Sequence, residues 1–181
     1  MPGQTITDEI EAEEVEPDQY LVFKIMSQEF GIQAMLVQEI SLPLEVTLVP
    51  NSLPYIDGVA NLRGKLSTII NFRKKFGFGE KERDEDTRFI IVEHLGFPLG
   101  IMVDSVEEVI KITDDAVQKL HESTSYMTKN DDITGVGMLN KRIVILLDIK
   151  KILEKTEMIE PDIINQVIHE ANTLDTTRAE T

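Results

Sequence analysis

The sequence predicts an all-β fold in which one unit occurs twice, and three observations carry that prediction. Residues 58–76, GVANLRGKLSTIINFRKKF, align without a gap on residues 135–153, GVGMLNKRIVILLDIKKIL. A second match, offset by 69 residues rather than 77, sets residues 89–92 on 20–23 and Leu99-Gly100-Ile101 on Phe30-Gly31-Ile32. It also sets Val106, Glu108 and Val109 on Val37, Glu39 and Ile40. Finally, short runs of aromatic and branched residues recur between Gly, Pro and Asn turns, the pattern of small barrels or a sandwich. Two copies of about 65 residues each are too long and too few for a solenoid.

The elements follow in order. Residues 1–18 hold seven acids and no Lys or Arg, which predicts a flexible acidic tail with little to bury. YLVFKI, residues 20–25, is a strand candidate, and residues 26–29 a polar turn. The return strand starts at Phe30, where Gly31 permits a bulge or a close backbone approach. In residues 33–42, Val37, Glu39 and Ser41 alternate with Gln38, Ile40 and Leu42. In residues 43–54, Leu44, Val46 and Leu48 alternate with Glu45 and Thr47 among three prolines. That predicts a short edge strand, which either docks a partner or closes the core.

After the turn and strand of residues 58–72, Asn71 is placed to cap a short helix, FRKKF. Residues 77–87 form a charged, glycine-containing linker with little to bury. The second copy then runs from Arg88. Its mismatch in spacing predicts an eight-residue insertion within residues 113–134, with a helical turn around residues 114–120 and a polar loop. Asp148, the counterpart of Asn71, caps a second short helix. Beyond Leu153, Glu160-Pro161-Asp162 can open a helix with proline in its first turn, and Ile163, Ile164, Val167, Ile168 and Ala171 share one helical face. The organisation is therefore a tail at 1–18, a duplicated body at 19–154, divided near 87/88, and a C-terminal helix and tail at 155–181.

The net charge is −15, which disfavours nucleic acid and anionic lipid as partners. The chain contains no Cys, so disulfides, thiolate metal sites and cysteine nucleophiles are excluded. No apolar run reaches the roughly 20 residues of a membrane span, and the N-terminus lacks the basic and apolar regions of a signal peptide. A soluble cytoplasmic protein is expected. His94, His121 and His169 show no ligand spacing, and no nucleophile-elbow, P-loop or kinase signature appears. Glu107-Glu108 and Asp131-Asp132 are sequence neighbours, which in a strand point to opposite faces. No catalytic residue, metal or cofactor is predicted. Catalytic groups can still converge from distant positions, so a small β-barrel enzyme or ligand-binding protein stays open as an alternative.

Taken together, the segments Phe30-Gly31-Ile32, Val37-Gln38-Glu39-Ile40, Gly58-Val59-Ala60-Asn61-Leu62-Arg63-Gly64, Gly100 to Asp104 and Gly135-Val136-Gly137, with Ile145 to Asp148, resemble the CheW family. The resemblance covers roughly residues 19–154. It implies two intertwined five-stranded SH3-like barrels and an adaptor that couples transmembrane chemoreceptors to the histidine kinase CheA at membrane-associated arrays. An adaptor of another kinase-linked pathway, such as surface motility, is the alternative within the family. The sequence departs from the family pattern at Ser67 and Thr68, where proline is common.

Carried over by motif, Val37, Glu39, Gly58, Asn61, Arg63, Val106 and Val109 resemble receptor-coupling positions. The resemblance implies a kinase surface on the first copy near Leu42, Val46 and Leu48, contacting the kinase's own homologous regulatory domain. Gly31, Gly64, Gly100, Gly135, Asn71 and Asp148 are expected to be structural. The match breaks at Arg63-Gly64, which becomes Asn140-Lys141 in the second copy. The planar fork of donors on Arg63 can pair with Glu39 or a carbonyl, can meet a partner, or can do both.

Overall fold

The computed structural model describes residues 18–120, 131–156 and His169. The predicted acidic tail before Asp18 and the predicted C-terminal helix lie outside the described residues, apart from His169 within the latter. The strands are β1 (Asp18–Ile25), β2 (Gln28–Gln33), β3 (Val37–Ser41), β4 (Ile56–Leu62), β5 (Lys65–Asn71), β6 (Arg88–His94), β7 (Phe97–Val103), β8 (Ser105–Ile112), β9 (Val117–Lys119), β10 (Ile133–Leu139) and β11 (Arg142–Leu147). Two short helices, α1 (Phe72–Lys75) and α2 (Ile149–Lys155), follow β5 and β11.

The strands make two sheets, ordered β8-β1-β2-β11-β10-β9 and β3-β6-β7-β5-β4. Each sheet takes strands from both copies. The β1–β2 hairpin of the first copy lies between β8 and β11 of the second, while the β6–β7 hairpin lies between β3 and β5. The junctions are equivalent: antiparallel to β8 or β3, parallel to β11 or β5. Parallel neighbours need a long connection, which the rest of the chain supplies.

The two sheets share one large core. Phe23, Phe30 and Ile32 from the first copy pack with Ile90, Ile101, Leu147 and Ile152 from the second. Aromatic rings run through it: Phe30 stacks on Phe23 at 5.9 Å and on Phe76 at 5.6 Å, and Phe72 meets Phe76 edge-on at 5.3 Å. Such pairs add about 1 kcal/mol each beyond their area burial. At Gly31 and Gly100 the need is close approach rather than a bulge. A Cβ on Gly31 would lie 3.0 Å from Leu146 Cδ2, and one on Gly100 would lie 2.5 Å from Ile69 Cδ1.

Both predicted caps form. Asn71 Oδ1 accepts from the Lys74 amide, and Asp148 Oδ1 from the Lys151 amide, each at 3.1 Å. Asp132 joins the two helices. Its buried carboxylate lies 3.0 Å from Lys155 Nζ on α2 and 3.8 Å from Lys75 Nζ on α1. Lys75 also sits 4.5 Å from the Tyr55 ring centroid. The Asp132 carboxylate is the main cause of a raised Lys155 pKa.

Three expectations are corrected. The predicted strand at 44–48 is reduced to one antiparallel bridge, Thr47 with Val59, closed by hydrogen bonds of 2.8 and 2.9 Å. Prolines at 43, 50 and 54 break up longer pairing there. Its counterpart in the second copy, with no such prolines, becomes the three-residue strand β9 beside β10. The second copy's sheet therefore has six strands rather than five. The helical turn expected over 114–120 is a 3-10 turn at Asp114–Ala116 that passes directly into β9.

The predicted linker at 77–87 is also tied down. Arg83 donates to the Leu44 carbonyl at 2.9 Å and stacks 5.3 Å from the Phe89 ring centroid, while Thr87 is buried. Asp84 closes the local turn. A hydrogen bond from Lys81, together with donors from the Asp86 amide and Thr87, lowers its pKa from 3.8 to about 2. Because the folded value lies below the ordinary one, its contribution to stability is complete above about pH 4 and is lost as pH falls toward 2. Asp84→Asn should flatten the acid-unfolding curve in that window. A curve that superposes on the parent's would rule the effect out.

Ser67 on β5 is buried opposite Ala60 and on the strand face of Ile69, both members of a small apolar cluster with Phe89 and Ile91. Its Oγ has no protein partner among the described residues. Removing an unsatisfied buried hydroxyl is stabilising. Ser67→Ala should raise unfolding free energy by about 1 kcal/mol, read as a higher midpoint in urea. A lower midpoint would show that the hydroxyl is satisfied.

Candidate docking site at the Arg63 hairpin

Asn61 to Lys65 build a tight turn between β4 and β5. Leu62 and Lys65 are the last paired residues of β4 and β5, so Arg63 and Gly64 form a two-residue hairpin loop. Both have positive φ, 53° and 82°, the backbone that matches the twist of adjoining strands. Gly64 adopts it without strain. The Asn61 side-chain oxygen accepts from the Gly64 amide at 2.8 Å and locks the turn. Asn140 and Lys141 repeat the backbone in the second copy, with φ of 44° and 70°. The break in the repeat at Arg63-Gly64 is therefore one of side chains, not of chain path.

Arg63 Nη2 pairs with Glu39 Oε2 at 2.6 Å, although the arginine side chain is 80% exposed and the glutamate 25%. An exposed pair of this kind adds about 0–1 kcal/mol to the fold. Its effect is to fix the direction of the guanidinium. Gln38, Glu39, Leu62, Arg63, Lys65, Glu93 and Pro98 line a cleft of about 210 Å³ at this hairpin. Gln38 Nε2 donates to Glu93 Oε2 at 2.7 Å.

The other positions carried over by motif divide into groups. Val37 on β3 and Val106 on β8 are half-buried against the shared core. Val109 is 54% exposed on β8. β3 and β8 are counterpart edge strands, one in each sheet; β3 supplies Gln38 and Glu39 to the Arg63 cleft, but Val37, Val106 and Val109 do not line it. Gly58 lies farther along β4, where its backbone, with φ of 138°, passes under Thr47. Gly135 meets the corresponding segment, with Gln118 O at 2.9 Å from an added Cβ. On the predicted kinase surface, Leu42 and Leu48 are 67% and 79% exposed, whereas Val46 tucks into the small cluster beside Ala60 and Phe89.

Sequence reasoning did not single out Gln38, Lys65, Glu93 or Pro98, nor the charged cluster of the second copy. There Arg142 holds Glu29 and Glu108, and these carboxylates raise its pKa, Glu29 most. The duplication itself was the signal that could have found them, because Arg142 falls on Lys65. A second open cleft, about 390 Å³, is lined by Asp57, Lys74, Glu80 and Lys81 among others. Four of its charges are held in ion pairs: Lys74 with Asp57 and Glu80, and Lys81 with Asp84. No group of residues with metal-ligating spacing occurs among the described residues, and no helix among them is long and apolar enough to cross a membrane.

A duplicated two-sheet β scaffold that exposes an anchored arginine, and elsewhere the bare side chains of Leu42, Leu48 and Val109, defines a protein-docking module. The CheW-like domain family profile matches residues 19–157. The chain is 35% identical over 140 residues to the chemotaxis protein CheW of Klebsiella aerogenes, covering 77% of this chain and 84% of that one. It is 33% identical over 138 residues to the chemotaxis protein CheW of Helicobacter pylori, covering 76% and 82%. The crystal structure of the scaffolding protein TtCheW from Thermoanaerobacter tengcongensis superposes with a TM-score of 0.70 at 29% identity, over 79% of this chain and 98% of that one. The chain belongs to the CheW family.

Proposed function

We propose that this chain is a non-catalytic chemotaxis adaptor that couples the cytoplasmic tips of transmembrane chemoreceptors to the histidine kinase CheA. The observation that carries the reading is Arg63: exposed, aimed by Glu39, and set on a hairpin whose backbone repeats while its side chain does not. Its many donors are free toward a partner on the outer side. Chemotaxis proteins among the chain's relatives support the pathway.

In this reading Val37, Glu39, Gly58, Asn61, Arg63, Val106 and Val109 form or support the receptor surface. Leu42 and Leu48, with Val46 beneath them, form the kinase surface. Exposed leucines beside a half-buried valine suit protein docking, and the partner there is the kinase's regulatory domain. The protein works in the cytoplasm at membrane-associated receptor arrays, where repeated contacts raise the avidity of individually weak ones. Co-sedimentation with receptor cytoplasmic fragments and the kinase tests the reading. Kinase activation should require this chain. Activation that proceeds equally well without it, or failure to bind either partner, overturns the proposal.

A further inference from the structure

The two copies carry the same ion-pair frame, but only one frame is complete. In the second copy Arg142 Nε and Nη2 donate to the two Glu29 oxygens at 3.1 and 3.0 Å, and Nη1 donates to Glu108 Oε1 at 2.7 Å. Beside them Lys24 pairs with Glu107 at 3.2 Å. The repeat offsets place Lys65 on Arg142, Glu39 on Glu108, Pro98 on Glu29, Gln38 on Glu107 and Glu93 on Lys24. The secondary structure agrees: Lys65 and Arg142 each open the strand after the hairpin turn, and β7 lies beside β5 as β2 lies beside β11.

The first copy therefore lacks the carboxylate that holds the cation in the second. Proline stands where Glu29 would be. Glu39 is taken by Arg63, and Glu93 is held by Gln38. Lys65 lines the cleft, is exposed and has no ion pair among the described residues. We infer that the Arg63 cleft is an ion-pair network left one carboxylate short, and that an acidic side chain of the docking receptor segment completes it between Lys65 and Arg63. Lys65 is then a specificity residue, and Pro98 keeps the place open. The inference rests on the reading that a receptor docks at this hairpin, and it adds the chemistry of the group that enters.

A cation left unpaired in the free protein and paired in the complex favours a partner carrying the opposite charge over one that does not. The test uses the full chain and a soluble receptor cytoplasmic fragment, titrated at low and high salt. Pro98→Glu supplies the missing carboxylate from within. It should weaken binding about tenfold without lowering the melting temperature. Lys65→Glu should weaken it by at least as much, and a fragment with one tip Asp or Glu changed to Lys should bind Lys65→Glu better than it binds the parent chain. If Pro98→Glu does not fold, Lys65→Glu and its charge-reversed fragment decide. Parent-like binding by both variants, or a loss that no charge reversal on the fragment rescues, overturns the inference. Weakening by Arg63→Ala alone leaves receptor docking intact and removes only the carboxylate. Unchanged binding by all three variants removes the docking site itself.

Discussion

Arg63→Ala should weaken binding to a receptor cytoplasmic fragment about thirtyfold, a loss of about 2 kcal/mol as expected for an arginine at an interface hot spot. The fold should survive. Arg63 is 80% exposed, and its contact with Glu39 is the kind of surface pair whose removal costs about 0–1 kcal/mol. The turn itself stays closed, because its lock is the Asn61 oxygen on the Gly64 amide, not the guanidinium. The decisive measurement pairs a binding titration with a thermal melt on the same preparation. Parent affinity with a parent melt removes Arg63 from the interface. A collapsed melt assigns it to the scaffold instead.

Gly58→Val should be the most damaging single change to the fold, costing about 3 kcal/mol or more. Two effects add. The position has φ of 138°, and even a Cβ would sit 2.0 Å from Thr47 O and 2.8 Å from Thr47 C. To admit it, β4 must part from Thr47, breaking both hydrogen bonds of the Thr47–Val59 bridge. Leu44 and Val46 would then be pulled from the cluster around Phe89. Gly135→Ala should cost less, since its φ is unexceptional and the closest atoms are 2.9 Å away. Urea midpoints for the two variants measure the difference. A Gly58→Val midpoint equal to the parent's would show that the 43–54 segment is not clamped against β4.

The same two glycines show how much could be read from sequence. The gapless match of 58–76 on 135–153 located both turns, the strands that follow them and both caps, because these are local and repeat at fixed spacing; that Gly58 and Gly135 pass under Thr47 and Gln118 took the fold to show. The pairing of Glu39 with Arg63 was anticipated as well. Charge partners from different copies were not legible. Arg142 meets Glu29 across 113 positions, and Lys75 meets Asp132 through the junction of the copies. Nothing in residue type marks such meetings. Asp131-Asp132 reads only as two adjacent acids, whereas the fold buries Asp132 between Lys75 and Lys155. Alternation over residues 44–48 predicts a strand where the fold has one bridge, because alternation reports which faces are apolar, whereas the flanking prolines decide how many ladder bonds form.

The exchange of hairpins between the sheets has a consequence for how the chain is made. β1 and β2 are the first strands of the body to be made, yet their outer neighbours are β8 and β11, both in the second copy. Until Arg142–Leu147 has been synthesised, the β1–β2 hairpin has an open ladder and Phe23 and Phe30 have only part of their final surroundings. Long-range pairing of this kind slows folding and prolongs exposure of strand edges. Neither copy alone holds all the strands of either sheet, but the two sheets differ in timing: β3-β6-β7-β5-β4 has all of its strands once Val103 is made, whereas the other must wait for β10 and β11.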